Sequence, residues 1–341
     1  MRVRRLHAAV LVPILALGVL AGCGSDDEEP PGGTTGPKTL EVGYIPGASL
    51  APAFIADALG CYAEQELQIK FQPINNPADA IAFLANGRIH AYVGSPSAGL
   101  FNQVSRGANL KMVASLGSIN TPAGEDPPSA LFGGSGIGTV QDLRGKRVAV
   151  LGSVGTATSY LLGKSLATGG LTFADVELVP LAVADMVPAL KNGSIAGAML
   201  IAPYTQQAVE QGAGKAIVDS KQAYGTSTTA GVIYGDDLLK DDRATGVKYL
   251  TAVACGAKRM QGDWREDAEV VKALATFMKV PDTTISGGGL YVFDPTLTVN
   301  EDTLTEMQEM FLAVKGTLTY TEVVPAANLV DDEIRRQAVG A

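Results

Sequence analysis

Small hydroxylated and glycine-rich loops are the parts of this chain best suited to hold a ligand. Each of four such loops follows a predicted strand, and most precede a predicted helix. Backbone N–H groups at a helix N-terminus, together with a Ser or Thr hydroxyl, can bind an anion without a charged side chain. For any one loop, ordinary N-capping is the alternative. The loops are Gly47-Ala48-Ser49, Gly94-Ser95-Pro96-Ser97, Gly152-Ser153-Val154-Gly155-Thr156 and Ala202-Pro203-Tyr204-Thr205.

If these loops converge on one cleft, they form a site for a small molecule. Hydroxyls and backbone N–H groups suit a small oxyanion, whereas Tyr44, Tyr204 or Tyr234 suits a planar aromatic ligand. The predicted ligand-binding residues are Tyr44, Gly47, Ser49, Ser95, Ser97, Ser153, Gly155, Thr156, Tyr204 and Thr229.

Catalytic and metal-binding patterns are not visible in the sequence. The chain has two His, and His7 lies in the N-terminal segment. His90 is therefore the one His that could act as a base, and we interpret it as a surface turn residue. No Cys/His pair has zinc spacing. Gly163-Lys164-Ser165 lies within a predicted helix, so it is not a phosphate loop. We therefore predict no catalytic residue, no metal and no cofactor.

The N-terminus has the layout of a secretory signal. Arg2, Arg4 and Arg5 precede an apolar run over residues 8–20, and the stretch Leu20-Ala21-Gly22-Cys23 follows. A Cys directly after small residues resembles a bacterial lipobox, which implies lipidation of Cys23 and an anchor on the extracytoplasmic face of the membrane. A plain transmembrane anchor is the alternative, but the run is shorter than the ~20 residues that a bilayer needs.

Charge limits the classes of partner. The net charge of −9 becomes −12 once the three Arg of residues 1–22 are removed. An acidic chain is a poor partner for nucleic acid, which requires basic patches. Residues 24–38 contain charge, Pro, Gly and Thr, and predict a disordered tether.

Two cysteines remain after Cys23. In an oxidising compartment Cys61 and Cys255 can form a disulfide. Two buried free thiols are the alternative, which we favour because Cys is often simply buried.

Strand and helix patterns alternate along the chain, which predicts an α/β fold with parallel sheets. A repeat joins two such runs: residues 78–89 (ADAIAFLANGRI) and 184–195 (ADMVPALKNGSI) are identical at six of twelve positions, 106 residues apart. We therefore predict two similar lobes whose strand ends face one another. The predicted divisions are a signal peptide (1–22), a tether (23–38), lobe 1 (39–132 and 234–341) and lobe 2 (133–233).

Three segments, in order, resemble solute-binding proteins for nitrate, sulfonate, taurine and thiamine-precursor uptake. They are Gly60-Cys61-Tyr62-Ala63-Glu64-Gln65-Glu66-Leu67, Val140-Gln141-Asp142-Leu143-Arg144-Gly145-Lys146-Arg147-Val148-Ala149-Val150 and Ala202-Pro203-Tyr204. The likeness covers most of residues 40–335. It implies a two-lobed, type II periplasmic-binding-protein fold that closes by hinge motion, with crossings that we place near 130–134 and 226–233.

The same resemblance implies a monomeric substrate-binding protein without catalysis, with an ABC permease and ATPase as partners. The ligand would be a small polar or anionic organic solute: a sulfonate, a nitrate-like anion or a pyrimidine precursor of thiamine. Glu66 stands where the family pattern has Gly, and Ile201-Ala202 replaces its Trp-Glu. The alternatives are an enzyme on the same fold, of the pyrimidine-precursor or menaquinone-pathway type, and a ligand-sensing lipoprotein without a permease.

Overall fold

The computed structural model describes residues 36–74, 76–119 and 127–341. The predicted signal segment, Cys23 and the tether up to residue 35 lie outside these ranges. Residues 37–341 form one compact unit. None of the helices in the described ranges combines the length and apolar character needed to cross a bilayer.

The elements alternate as the sequence predicts. The strands are β1 (Lys38–Tyr44), β2 (Leu67–Pro73), β3 (Ala91–Gly94), β4 (Lys111–Ser115), β5 (Gly117–Ser118), β6 (Ser129–Gly133), β7 (Arg147–Leu151), β8 (Glu177–Leu181), β9 (Gly197–Ile201), β10 (Lys215–Ala216), β11 (Gly231–Tyr234) and β12 (Val292–Phe293). The helices are α1 (Ala51–Ala58), α2 (Cys61–Glu64), α3 (Pro77–Ala85), α4 (Ala98–Ser105), α5 (Ala157–Ala167), α6 (Val183–Lys191), α7 (Tyr204–Glu210), α8 (Ser220–Tyr224), α9 (Arg243–Arg259), α10 (Ala268–Met278), α11 (Asp282–Ser286), α12 (Glu301–Leu312) and α13 (Asp332–Val339).

Two mixed sheets form the two lobes. In the described part of the chain, the first sheet has the order β2-β1-β3-β11-β4 and the second β10-β6-β9-β7-β8. Three neighbouring strands in each sheet are parallel, and one strand joins them antiparallel, β11 in the first sheet and β6 in the second. The α/β fold with two mostly parallel sheets is therefore confirmed.

The sequence repeat corresponds to one structural unit present in both lobes. Gly87 and Gly193 have φ of 72° and 73°, the left-handed conformation that ends a helix. The side chain of Asn86 accepts from the N–H of Arg88, and Asn192 accepts likewise from Ser194. The same local features, an Asn side-chain hydrogen bond and a Gly with positive φ, therefore end α3 and α6.

The repeat extends to strand pairing. Val42 pairs with Ala91 in the first sheet, and Val148 pairs with Gly197 in the second, so both partners are shifted by 106 residues. The carbonyl of Glu41 accepts from the N–H of His90, and the equivalent carbonyl of Arg147 accepts from Ala196. Equal register places the carboxyl ends of the central strands at equivalent positions in the two lobes.

The first crossing between the lobes lies earlier in the chain than predicted. Residues 130–134 are not a linker, because Ser129–Gly133 forms β6 and pairs with β9 of the second sheet. The first crossing therefore lies between the end of β4 at Ser115 and the start of β6 at Ser129. The second crossing ends before Gly231, where β11 joins the first sheet beside β3 and β4. An apolar strand can pair with either sheet, which is why its sequence did not locate the crossing.

Cys61 and Cys255 form a disulfide, so the preference for two free thiols was wrong. The bond joins α2 to α9, which are 194 residues apart along the chain but adjacent in the first lobe. The nearby turn also departs from the family pattern in sequence. Glu66 occupies the left-handed region at φ 58°, where the family pattern has Gly.

Candidate functional site

The carboxyl ends of the parallel strands bear the loops that the sequence singled out. Residues 45–49 follow β1, and residues 95–97 follow β3 in the first sheet. Residues 152–156 follow β7, and residues 202–203 follow β9 in the second. In open α/β sheets this edge is where ligands bind. We refer to the space between these loops as the cleft.

Direct contact joins the two lobes at the cleft. The N–H of Ala98, the first residue of α4, donates to the carbonyl oxygen of Gly155 at 2.8 Å. Gly155 is buried and has φ 107°. A Cβ at this position would lie 2.8 Å from Cβ of Ala98 and 3.0 Å from Cγ2 of Thr317. Only glycine therefore allows the loop after β7 to rest on the N-terminus of α4.

Thr156 caps its own helix. Its Oγ1 accepts from the N–H of Ser159 at 3.2 Å, which completes a capping box at the start of α5. The N–H groups of Gly155 and Thr156 both donate to Oγ of Ser159, each at 3.0 Å. The sequence predicts that Thr156 Oγ1 and the N–H groups of Gly155 and Thr156 bind an anion, but all three form hydrogen bonds inside the loop. Ser153 is exposed, and its N–H donates to the carbonyl of Leu151.

Ser97 presents a different case at the start of α4. It precedes the helix in the N-cap position, but its hydroxyl caps no backbone N–H. The residue is 5% exposed, and Oγ has no hydrogen-bond partner among the described residues. Ser95, two residues earlier, is half-buried.

Tyr44 lies in an aromatic cluster of the first lobe. Its ring centroid is 5.2 Å from that of Phe54, 5.9 Å from Phe71 and 5.1 Å from Phe277. Burial raises the pKa of its hydroxyl. These contacts are those of a packing residue. Nearby, Ser49 lies under β5, since a Cβ at Gly117 would come within 2.7 Å of the Ser49 carbonyl oxygen. Gly47 is half-buried in the same loop.

The remaining predicted residues lie at the second lobe and at the crossing. The Ala202–Pro203 peptide bond is cis, and the N–H of Ala202 donates to the carbonyl of Pro128 at 2.7 Å. Tyr204 is half-buried and packs against the core of the second lobe. Thr229 is 7% exposed and lies in the second crossing, two residues before β11 begins.

The structure thus brings together only part of the predicted set. Ser97 and Gly155 lie at the Ala98 contact, and Thr156 is joined to Gly155 through Ser159. Tyr44 packs among phenylalanines of the first lobe instead. Ser159 is absent from the predicted set, although it was detectable as the third residue after a Thr cap.

Electrostatically, the cleft loops are neutral. Residues 45–49, 95–98, 152–156 and 202–204 contain no Asp, Glu, Lys, Arg or His. His90 stands at the other end of β3, where its Nδ1 accepts from the N–H of Glu41 at 3.0 Å. Over residues 36–74, 76–119 and 127–341, no group of three or more His, Cys, Asp and Glu could hold a metal ion. The arrangement can supply hydroxyl donors, such as that of Ser97, to a ligand.

Two cavities lie away from these loops. One of about 420 Å³ lies between α1 and α10 and includes Phe54 and Phe277 in its wall. The other, of about 690 Å³, lies between α5 and α12 beside the Lys164–Glu306 ion pair. Neither touches a strand end, so we place the candidate site in the cleft on the topological argument.

The chain resembles known proteins both in sequence and in fold. Residues 48–265 match the family model described as NMT1/THI5-like. Among solved structures, the alkanesulfonate-binding protein SsuA from Xanthomonas axonopodis pv. citri, bound to MOPS, is 16% identical, with a TM-score of 0.65 over 86% of this chain and 98% of that chain. The periplasmic nitrate-binding protein NrtA from Synechocystis PCC 6803 is 17% identical, with a TM-score of 0.67 over 89% and 88%.

An enzyme shares the architecture as well. The desulfurization enzyme DSZB is 15% identical, with a TM-score of 0.62 over 89% of this chain and 99% of that chain. A search of curated protein sequences returned no match. At these identities the structural likeness shows the fold, which is the two-lobed type II periplasmic-binding-protein fold. Because the family model matches more than half of the sequence, the chain belongs to the NMT1/THI5-like family.

Proposed function

We propose that this protein is the extracytoplasmic solute-binding component of an ABC importer. It captures a small polar or anionic organic solute between its lobes and delivers it to a membrane permease driven by an ATPase. The solute class comprises sulfonates, nitrate-like anions and pyrimidine precursors of thiamine. The observation that carries the proposal is the meeting of the two lobes at Ala98 and Gly155, within loops that offer neutral donors.

Family membership supports this proposal, as does the fold shared with a sulfonate-binding and a nitrate-binding protein. The neutral loops support binding without catalysis, because general acid–base chemistry needs a titratable group within reach of the reacting atoms. The fold shared with DSZB keeps an enzyme as the competing hypothesis. Turnover of a bound solute by the purified protein would favour the enzyme.

Native mass spectrometry of the purified full chain tests the proposal directly. We expect a retained solute, or 1:1 binding when taurine, ethanesulfonate, nitrate or 4-amino-5-hydroxymethyl-2-methylpyrimidine is added. A chain that binds none of these compounds contradicts the proposal. An adjacent permease and ATPase gene would favour import over a sensing role.

The lipid anchor is a separate part of the proposal. We propose that Cys23 carries the lipid and holds a monomeric chain on the extracytoplasmic face of the membrane. Cys23→Ser should move the protein from the membrane fraction to the soluble fraction without loss of solute binding. Retention of the Cys23→Ser variant in the membrane would contradict the lipid anchor and favour a membrane-spanning anchor.

A further inference from the structure

Tyr92 is a buried tyrosine whose hydroxyl reaches the carboxyl end of β3. The side chain is fully buried, and its ring leans along the strand past Gly94. A Cβ at position 94 would lie 2.1 Å from Cζ of Tyr92 and 2.2 Å from its hydroxyl oxygen, so only glycine leaves room for the ring. The hydroxyl consequently lies beside the backbone of Ser95, where the first-lobe loop of the cleft begins.

The Tyr92 hydroxyl is an unused donor. The backbone N–H of Ser95 approaches its oxygen as a donor, but the hydroxyl proton has no acceptor among the described residues. Burial raises the pKa of Tyr92, and the backbone of Ser95 offsets only part of that rise, so the phenol keeps its proton. A buried hydroxyl without a partner costs folding free energy, and such groups are rare unless they serve a purpose.

Ser97 supplies a second unused hydroxyl on the other side of Ser95-Pro96. It is nine-tenths buried, has no partner and leaves the N-terminus of the eight-residue helix α4 without a side-chain cap. The hydroxyl oxygen of a Ser in this position ordinarily accepts a hydrogen bond from a backbone N–H in the first turn of the helix. Two unpaired hydroxyls and a helix N-terminus therefore lie at the same end of β3.

The chemistry of this group fits an oxyanion. Two hydroxyl protons and the positive end of α4 attract oxygen atoms that carry negative charge. No carboxylate side chain in residues 45–49 or 95–98 competes for these donors or would attract a cation. The Ala98–Gly155 contact covers the same helix end from the second lobe, so the lobes must separate to admit a ligand and then exclude water from it.

We propose that Tyr92 and Ser97 are the residues of the first lobe that grip the ligand, and that both donate to one oxyanion group such as a sulfonate, a nitrate or a carboxylate. The inference rests on the proposed binding function and names the residues and the chemical class of its ligand. Tyr92 then acts as a specificity-determining residue, because its hydroxyl rejects any ligand that offers no acceptor at this point.

Tyr249 provides a matched control within the same lobe. Its buried hydroxyl oxygen lies near the hydroxyl of Tyr62, and, as in Tyr92, the hydroxyl proton has no acceptor among the described residues. Its ring stacks on Tyr62 at 5.2 Å and lies on α9, which packs against α1 and α13 in the core. Loss of this hydroxyl removes the same unpaired atom without touching the cleft.

The test compares Tyr92→Phe, Ser97→Ala and Tyr249→Phe in the full chain by isothermal titration calorimetry with ethanesulfonate, nitrate and acetate. We expect Tyr92→Phe and Ser97→Ala each to weaken binding about 10- to 100-fold, as for the loss of a hydrogen bond to a charged group. Tyr249→Phe should bind like the wild type. Without ligand, the two Phe variants should melt alike, since each loses one buried hydroxyl whose proton has no acceptor among the described residues.

The outcomes separate this inference from the function on which it rests. If the wild type binds an oxyanion and all three variants match it, Tyr92 and Ser97 do not grip the ligand, although the protein still binds solutes. If the wild type binds only the hydroxymethylpyrimidine, the oxyanion assignment is wrong. If the wild type binds neither the oxyanions nor the pyrimidine, both the proposed function and this inference are wrong.

Discussion

The N–H of Ala98 donates to the carbonyl oxygen of Gly155 at 2.8 Å, which joins the two lobes through their backbones. Ala98 is the first residue of α4, so this N–H is one of the donors that a helix leaves without an internal partner. Gly155 comes from the loop after β7 of the other lobe. The contact therefore reports whether the lobes are closed at the cleft.

Gly155→Ala should weaken ligand binding at least about tenfold by keeping the lobes apart. The new Cβ would lie within 3.0 Å of both Ala98 and Thr317, and neither lies at the end of a long flexible side chain. Calorimetric titration measures the change in affinity, and small-angle scattering should show a more open ligand-bound particle.

Gly152→Ala is the control for this substitution. Gly152 also has positive φ, at 66°, but a Cβ there meets nothing within 4 Å. Both variants carry the conformational cost of an alanine in the left-handed region. Equal loss of affinity in the two variants would show that backbone strain, rather than the contact between lobes, is responsible.

Two adjacent threonines in the second crossing should behave differently when changed to valine. The hydroxyl of Thr228 accepts from the N–H of Asn300 at 2.9 Å and donates to Oγ of Ser115 at 3.2 Å. Thr228→Val leaves both groups unpaired and should lower the free energy of unfolding by about 1–2 kcal/mol. Thr229→Val should change it by less than about 0.5 kcal/mol and instead reduce ligand affinity. Urea denaturation and calorimetry measure the two effects, and an unchanged affinity in Thr229→Val would remove Thr229 from the site.

The disulfide between Cys61 and Cys255 should contribute about 3 kcal/mol to stability, because it closes a long loop in the unfolded chain. Reduction with dithiothreitol should therefore lower the melting temperature of the wild type. The double variant Cys61→Ala/Cys255→Ala should melt early and show no response to the reductant. A wild-type melting temperature that the reductant does not change would contradict a bond in solution.

Acid should destabilise the protein partly through Asp242. Burial alone would raise the pKa of Asp242, but hydrogen bonds from Lys38 and Thr245 outweigh it and lower the pKa to about 2. A folded-state pKa below the unfolded value gives stability that is present above the unfolded pKa and is lost as pH falls toward the folded one. We expect this loss between about pH 5 and pH 2.

Asp242→Asn separates the charge from the helix cap. Asn caps a helix about as well as Asp does, so the start of α9 should persist at neutral pH. The acid-dependent decline in urea midpoint should become shallower in this variant and stay unchanged in Asp241→Asn, which alters the neighbouring exposed carboxylate. An equally steep decline in Asp242→Asn and the wild type would show that Asp242 does not contribute.

Local chemistry explains what the sequence predicted well. The ends of α3 and α6 follow from Asn-Gly steps, whose hydrogen bonds span a few residues, and the repeat therefore appeared in the sequence before the sheets were known. Contacts between distant residues explain the rest. The pairing of β6 with β9 moved the first crossing, and the adjacency of α2 and α9 joined Cys61 to Cys255.

The residues of the candidate site also divide into those whose role follows from nearby sequence and those whose role depends on distant contacts. Thr156 was a candidate for ligand binding, but its hydroxyl serves the first turn of α5, which is the ordinary role of Thr before a helix. Tyr92 escaped notice because its neighbours predict a buried strand. The direction of its hydroxyl depends on the space at Gly94, which only the folded chain reveals.

Titration calorimetry combined with analysis of the recovered solute distinguishes a solute-binding protein from an enzyme. We predict that one ethanesulfonate or nitrate binds per full chain with a Kd of about 1 μM or below, and that the solute is recovered unchanged. Absence of binding to every compound of the panel, or chemical conversion of the bound solute, would contradict the proposed function.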